Sequence, residues 1–240
     1  MEQIQKRIVL IPAYMPDEKL LGVVDELADK GFEIVVVNDG SGSAYDGLFE
    51  LVKEKAAVLD HPQNRGKGAA LKTGLKFISE NYEAPYIVAT ADADGQHKTE
   101  DIAATAGEAA ISRSSLVLGS RSFDKDVPLR SRFGNTVTRG VFRLCSGVKV
   151  YDTQTGLRAF SDKLIELMLH IGGERYEYEM NVLMELSKRR VPIREHHIET
   201  VYLDGNSSSH FDTLRDSARI YRSIFSYVFG SRRKVSSVRS

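Results

Sequence analysis

The sequence predicts an α/β fold, a doubly wound and mostly parallel central sheet flanked by helices, and three observations carry that reading. The first is a set of short apolar runs, Ile8 to Ile11, Ile34 to Val37 and Tyr86 to Ala89, each hydrophobic throughout rather than alternating. Such runs suit strands buried on both faces, as in parallel sheets. The second is that helix-patterned segments separate these runs, which makes βαβ units with right-handed crossovers. The third is size: 240 residues with 42% hydrophobic side chains support one large domain with a real core.

The elements follow in order. After the first strand, Asp17 to Lys30 carries Leu20, Leu21, Val24, Leu27 and Ala28 at helical spacing and stops at Gly31. The second strand leads to a helix-like stretch from Asp46 to Lys55 and a short apolar run from Ala57 to Leu59. Lys67 to Tyr82 gathers Ala70, Leu71, Leu75 and Ile78 on one helical face before the strand at Tyr86. Beyond it, Leu116 to Leu118 reads as a strand ending at Gly119, and Arg130 to Leu144 is helix-like. Tyr176 to Lys188 is a helix with Met180, Leu183, Met184 and Leu186 apolar, and Ile193 to Tyr202 alternates weakly as a strand does. No repeat or linker divides the chain, so the expected organisation is one α/β domain over residues 1–210 and a tail over 211–240.

Bulk charge narrows the partners. Lys plus Arg total 33 and Asp plus Glu total 33, so no global field attracts nucleic acid, and an electrostatic partner is met by a local patch. The single cysteine, Cys145, precludes an intrachain disulfide and points to a reducing compartment. The polar stretch from Met1 to Arg7 and the short run after it lack the apolar core of a signal peptide. No stretch has membrane-spanning length. The expected location is the cytoplasm, including the cytoplasmic face of a membrane.

In open α/β sheets, ligands bind at the carboxyl ends of strands. Asp92-Ala93-Asp94, followed by Gly95, Gln96 and His97, stands at such an end. Residues two apart in extended chain project to one side, and two carboxylates there repel unless a cation intervenes. Hard oxygen donors beside a diphosphate suit Mg²⁺ or Mn²⁺; a polar turn with Asp capping the next helix is the competing account. Asp39 and Gly40 follow a second apolar strand, where an Asp can meet a ribose or base edge, or merely form an Asx-turn. Pro12 ends the first strand, and Tyr14 can flank a flat base or simply pack. Arg65 and Lys67 flank Gly66 at a predicted helix start, a setting that favours anions or serves as a surface turn. The spacing is not that of a Walker A loop.

Together these motifs resemble glycosyltransferase family 2, which has the GT-A fold, a Rossmann-like doubly wound sheet. The resemblance extends through Gly119-Ser120-Arg121, Arg132-Phe133-Gly134-Asn135, Asp152 to Phe160, and Arg175-Tyr176-Glu177-Tyr178-Glu179, and covers roughly residues 6 to 225. Its nearest branch is the dolichyl- and polyprenyl-phosphate sugar transferases. The resemblance implies an inverting, metal-dependent transfer from a UDP- or GDP-linked sugar to a polyprenyl phosphate. Pro12, Ala13, Tyr14, Asp39, Gly40 and Lys67 would then hold the donor. Asp92, with Ala93 beside it, would contact ribose or metal, and Asp94 with Gln96 would bind metal and diphosphate. Arg121, Arg130 and Arg132 would receive the acceptor phosphate, although such arginines also occur on solvated helix faces. Asp152 and Gln154 would lie by the acceptor or sugar, and Glu177 and Glu179 would read sugar hydroxyls.

Other readings stay open at this level. If the acceptor is a hydroxyl of a growing glycan, Asp152 is the candidate general base. A sugar nucleotidyltransferase would want a Gly-rich basic loop after the first strand, where this chain has Pro12-Ala13-Tyr14-Met15-Pro16. A non-catalytic nucleotide-sugar binding module is the remaining class. The tail from Phe211 combines Arg215, Arg219 and Arg222 with Leu214, Tyr221 and Phe225 at helical spacing. A basic amphipathic helix suits an anionic membrane surface, and it can also pack on the domain, on a partner membrane protein or across an oligomer. The polar loop before it, with His210, and then Arg215, can close over the diphosphate.

Overall fold

A computed structural model describes residues 6–121 and 129–199. Seven strands among these residues form one sheet, β1 (Lys6–Ala13), β2 (Glu33–Asn38), β3 (Ala57–Asp60), β4 (Tyr86–Thr90), β5 (Leu116–Arg121), β6 (Arg158–Ser161) and β7 (Ile193–Ile198). Their order across the sheet is β3-β2-β1-β4-β6-β5-β7. All neighbours run parallel except β6, which is antiparallel to both β4 and β5. The sheet is therefore mixed, with its parallel character kept by six strands and interrupted by one.

The uniformly apolar strands are explained by burial on two faces. Ile8 and Leu10 of β1 pack with Val35, Val37 and Val88 on one side, under α3 (Lys67–Asn81), α5 (Leu129–Ser146), α6 (Ile165–Leu169) and α7 (Glu177–Lys188). Val9 and Ile11 pack with Ile34, Val36, Ile87 and Ala89 on the other, under α1 (Lys19–Asp29), α2 (Asp46–Val52) and α4 (Thr99–Ile111). Successive residues thus serve opposite cores, so no polar position interrupts the run.

Three elements escape the sequence pattern, α4, β6 and the five-residue α6. The helix α4 buries Ile102, Ala106 and Ala109, a stripe of mostly small residues with little hydrophobic contrast; Glu100 and Asp101 in its first turn complement the helix dipole. The strand β6 is four residues long and begins with a buried arginine, Arg158. The last strand, expected to Tyr202, is described to Ile198. The tail over 211–240, with His210 and Arg215, lies outside the described residues.

Candidate active site

Sheet order brings three strand ends together. β1 lies between β2 and β4, with Ala13 opposite Asn38 and Leu10 opposite Thr90. Just past the strands, the Asp39 amide donates to the Ala13 carbonyl at 2.8 Å and the Ala91 amide to the Leu10 carbonyl at 3.1 Å. The helices after β1, β2 and β4 all fall away on one face while α3, entering from β3, covers the other, and a crevice is left at the carboxyl edge. A cavity of about 680 Å³ occupies it. Pro12, Ala13, Tyr14, Asp39, Lys67, Asp92, Ala93 and Asp94 all line it, joined by Asp17, Asn64, Arg175 and Tyr176.

Asp39 is almost wholly buried and binds its own chain. Its Oδ1 accepts from the Arg65 amide at 2.9 Å and its Oδ2 from the Gly66 amide at 2.8 Å. His61 Nδ1 lies 2.7 Å from the same Oδ1, and its Nε2 lies 2.9 Å from Thr73 Oγ1. The arrangement that satisfies all three groups has Nδ1–H donating to Asp39 and the threonine hydroxyl donating to Nε2. Asp39 therefore fixes the loop that starts α3, and so the position of Lys67. Gly40, expected beside the nucleoside, does not line the cavity. Its positive φ and its contact with the Gln63–Asn64 backbone close this same turn.

Lys67 extends from the first turn of α3 into a set of acids. Its Nζ is 2.7 Å from Asp92 Oδ1 and 3.0 Å from Glu179 Oε2. Burial works against the ammonium, but Asp92 and Glu179 outweigh it and hold the proton more firmly than on an ordinary lysine. Burial also opposes the charge on Asp92, and the lysine beside it overrides this, keeping the carboxyl well below the usual carboxylate range. Asp94 moves the other way: burial, and then the charge of Asp92, push it up, although the Gln96 amide donates to Oδ1 at 3.0 Å. His97 is buried with its Nε2 3.5 Å from Asp92 Oδ2 and neither ring nitrogen in a hydrogen bond.

These residues suit a divalent cation. The carboxylates of Asp92 and Asp94 share one wall of the cavity. Among the described residues no three His, Cys, Asp or Glu side chains form a complete cage. Mg²⁺ at phosphate sites commonly takes one or two carboxylates and fills the rest of its shell from substrate and water. Asp92 and Asp94 would hold the ion. Gln96, expected as a further ligand, is outside the cavity lining and contributes its amide to the Asp94 turn.

The residues expected on the acceptor side divide. Asp152 is fully buried and grips Arg121, with Nε to Oδ2 at 2.6 Å and Nη2 to Oδ1 at 3.2 Å. The amides of Arg121 and Gln154 donate to the same two oxygens. Both oxygens are thus committed, which suits orienting a guanidinium better than taking a proton from a hydroxyl. Glu177 Oε1 accepts from the amides of Glu174 and Arg175 and shapes the loop that brings Arg175 and Tyr176 to the cavity. Glu179 serves Lys67, with Arg158 Nε at 3.9 Å from its Oε1. Neither glutamate lines the cavity. Arg130 and Arg132 fall on α5, and their side chains lie outside the described part.

Sequence reasoning missed several contributors. Arg175 and Tyr176 belong to a motif in which the glutamates carry the sequence signal, yet they are the members that line the cavity. Gly156 carries no signal of its own: a Cβ there would fall on the Asp92 carboxylate, so the chain entering β6 leaves that side chain its place only as glycine. His61 is separated by 22 positions from the Asp39 it supports, and nothing local announces the pair.

The family model of glycosyl transferase family 2 matches residues 8–166, which spans β1 to α6. A UDP-N-acetylglucosamine–dolichyl-phosphate N-acetylglucosaminyltransferase of Methanococcus voltae is 32% identical over 220 residues, 82% of this chain and 86% of that one. A dolichyl-phosphate beta-glucosyltransferase of Dictyostelium discoideum is 29% identical over 256 residues, 92% of this chain and 75% of its own. Among solved structures, glucosyl-3-phosphoglycerate synthase from Mycobacterium tuberculosis, crystallised with Mn²⁺, UDP and phosphoglyceric acid, superposes with a TM-score of 0.72 at 17% identity over 94% of this chain and 79% of that one, a likeness of fold. With its sheet order, its strand-end acids and these matches taken together, the chain belongs to glycosyl transferase family 2 and is similar to that family's dolichyl-phosphate sugar transferases.

Proposed function

We propose that this protein is a metal-dependent, inverting glycosyltransferase that moves a sugar from a nucleoside diphosphate to a polyprenyl phosphate. The observation that carries the reading is one cavity lined by Pro12, Tyr14, Asp39, Lys67, Asp92 and Asp94 at the carboxyl ends of β1, β2 and β4. Pro12 and Tyr14 flank the base, and Asp39 holds the loop that frames the ribose. Lys67 and the amides at the start of α3 meet the diphosphate. A divalent cation on Asp92 and Asp94 supplies charge neutralisation of the departing diphosphate. The relatives named for dolichyl-phosphate transfer, and a structural neighbour crystallised with Mn²⁺ and UDP, accord with this assignment.

The acceptor side favours a phosphate. A phosphate oxygen is already anionic at neutral pH and needs positioning rather than a base. Arg121, clamped by buried Asp152, is a pre-oriented guanidinium of that kind. From Leu129 to Tyr151 the chain carries five cations and no carboxylate. Leu144 and Tyr151 are exposed on that stretch beside Arg143 and Lys149. The exposed residues of that stretch suit an anionic membrane that presents the lipid phosphate, which supports a place on the cytoplasmic face. No helix among the described residues is long and apolar enough to cross a membrane.

The test is incubation with labelled UDP- and GDP-sugars, Mn²⁺ or Mg²⁺, and undecaprenyl or dolichyl phosphate. Labelled lipid is expected with one donor and is expected to vanish on chelation. A folded protein that labels soluble glycan and leaves every lipid phosphate untouched would replace this acceptor assignment.

A further inference from the structure

The geometry points to Lys67 as a resident cation that occupies Asp92 until a nucleoside diphosphate arrives, so that the divalent ion binds with the nucleotide and not before it. The inference rests on the metal-dependent reading above. It starts from the partners of the two Asp92 oxygens, on a side chain still 32% exposed and lining the cavity. Oδ1 is held by the Lys67 ammonium at 2.7 Å. Oδ2 faces the Gly156 backbone, with His97 Nε2 at 3.5 Å. A divalent ion approaching the pair therefore competes with Lys67 for this carboxylate.

Release of the lysine needs a second anion within reach. Lys67 and Asp94 line the same cavity, and the lysine projects from the first turn of α3, the end of the helix that favours negative charge. A bound diphosphate would offer the ammonium oxygens on the cavity side. Glu179 holds the other side of the same nitrogen, at 3.0 Å, and is itself almost buried. It acts as a tether: the ammonium turns from Asp92 toward the diphosphate without leaving the site or losing all its pairing. The freed Asp92 oxygen then joins Asp94 in binding the ion. Ion and nucleotide each strengthen the other through the lysine, a coupling that is reciprocal by linkage.

Mn²⁺ titration followed by the electron paramagnetic resonance of the free ion tests this without turnover. Without nucleotide, the wild type is expected to bind Mn²⁺ no more tightly than Asp92→Asn, because Asp92 is already taken. Lys67→Met, which keeps the stem and removes the charge, is expected to bind Mn²⁺ at least about tenfold tighter than the wild type under those conditions, and Lys67→Arg to stay as weak as the wild type. A folded Lys67→Met no tighter than the wild type overturns the proposal. Should Lys67→Met fail its melting-curve control, the wild-type comparison decides alone: nucleotide-free Mn²⁺ binding about tenfold or more tighter than in Asp92→Asn overturns it. Repeating the titration with UDP, wild type against Asp94→Asn, tests the metal reading separately. Equal affinities there remove the metal, and the exchange with it, whereas tighter wild-type binding upholds the metal and leaves the nucleotide-free arm to judge the lysine.

Discussion

Gly156 leaves its side-chain position to Asp92: a Cβ on the one would lie within the carboxylate of the other. The Thr90 hydroxyl donates to the Gly156 carbonyl at 2.8 Å, which pins the two segments at that spacing. Gly156→Ala must therefore push Asp92 aside. The displaced atoms are the free end of a side chain, so the fold yields at a cost of about 1–3 kcal/mol. The catalytic geometry suffers more. We expect kcat/KM for the donor to fall about a hundredfold, with the melting temperature moved by only a few degrees. Steady-state kinetics beside a melting curve separate the two effects.

Asp39 is predicted to matter first for the integrity of the site. Asp39→Asn keeps one acceptor and turns an amide group toward backbone donors, leaving one of them unmatched. The expected loss is about 1–3 kcal/mol in urea denaturation. It should be accompanied by weaker nucleotide binding, because Lys67 is no longer held in place. Unchanged stability would show that the loop starting α3 is fixed by other means.

Asp94 carries a penalty that function can explain. Its carboxyl is pushed up by burial and by Asp92, so the folded state holds the proton more tightly than the unfolded chain does. Stability from this group is thus fully present at low pH and declines as pH rises through its unfolded and then its folded value. Asp94→Asn removes the penalty. In chelator-containing buffer the variant should melt higher than the wild type at neutral pH, and the difference should close as pH falls below the ordinary carboxylate range. Turnover should be lost in the same variant. A lower melting temperature at neutral pH would contradict the sign.

Asp152 separates positioning from proton transfer. With both oxygens engaged by Arg121 and backbone amides, Asp152→Asn should loosen the guanidinium and raise the KM for lipid phosphate about tenfold while kcat stays within about tenfold. A fall of about a hundredfold or more in kcat at unchanged KM would restore it as a base. Arg121→Ala is the harsher change, because it leaves a buried carboxylate without its counter-ion, at a cost of about 3–5 kcal/mol.

The parts of the fold written in local pattern could be read from the sequence. β1, β2 and β4 are apolar throughout because both faces are buried, and the polar residues that end them stand out for that reason. The helices with large apolar stripes, α1, α3 and α7, were equally visible. α4 was not, since its core face is chiefly alanine, and β6 was not, since four residues opening on a buried arginine resemble no strand. Strand-end position singles out Asp39, Asp92 and Asp94 in the sequence and a helix start singles out Lys67, and the structure gathers all four around one cavity. Their pairings were not legible. Lys67 meets Asp92 and Glu179 only after α3, β4 and α7 have packed, and the same types at the same positions would also suit carboxylates open to ligand. The resemblance implies that Glu177, Glu179 and Asp152 face substrate or acceptor, and the structure adds partners for each within its own chain.

The reversal of β6 has an architectural consequence. Because it runs against its neighbours, the excursion that leaves the sheet at Arg121 returns to it at Arg158, in the immediately adjacent strand, where Leu118 lies opposite Arg158. Departure and return are side by side on one rim. A detour closed at its base in this way is fastened to the core by Phe142, Val150 and Leu157, and its exposed turns can lengthen while the strands beneath keep their register. Exchanging its exposed positions between relatives, with Phe142, Val150, Asp152, Gly156 and Leu157 kept, is therefore the natural route to redirecting the acceptor, with the nucleotide chamber built by β1, β2 and β4 carried over intact.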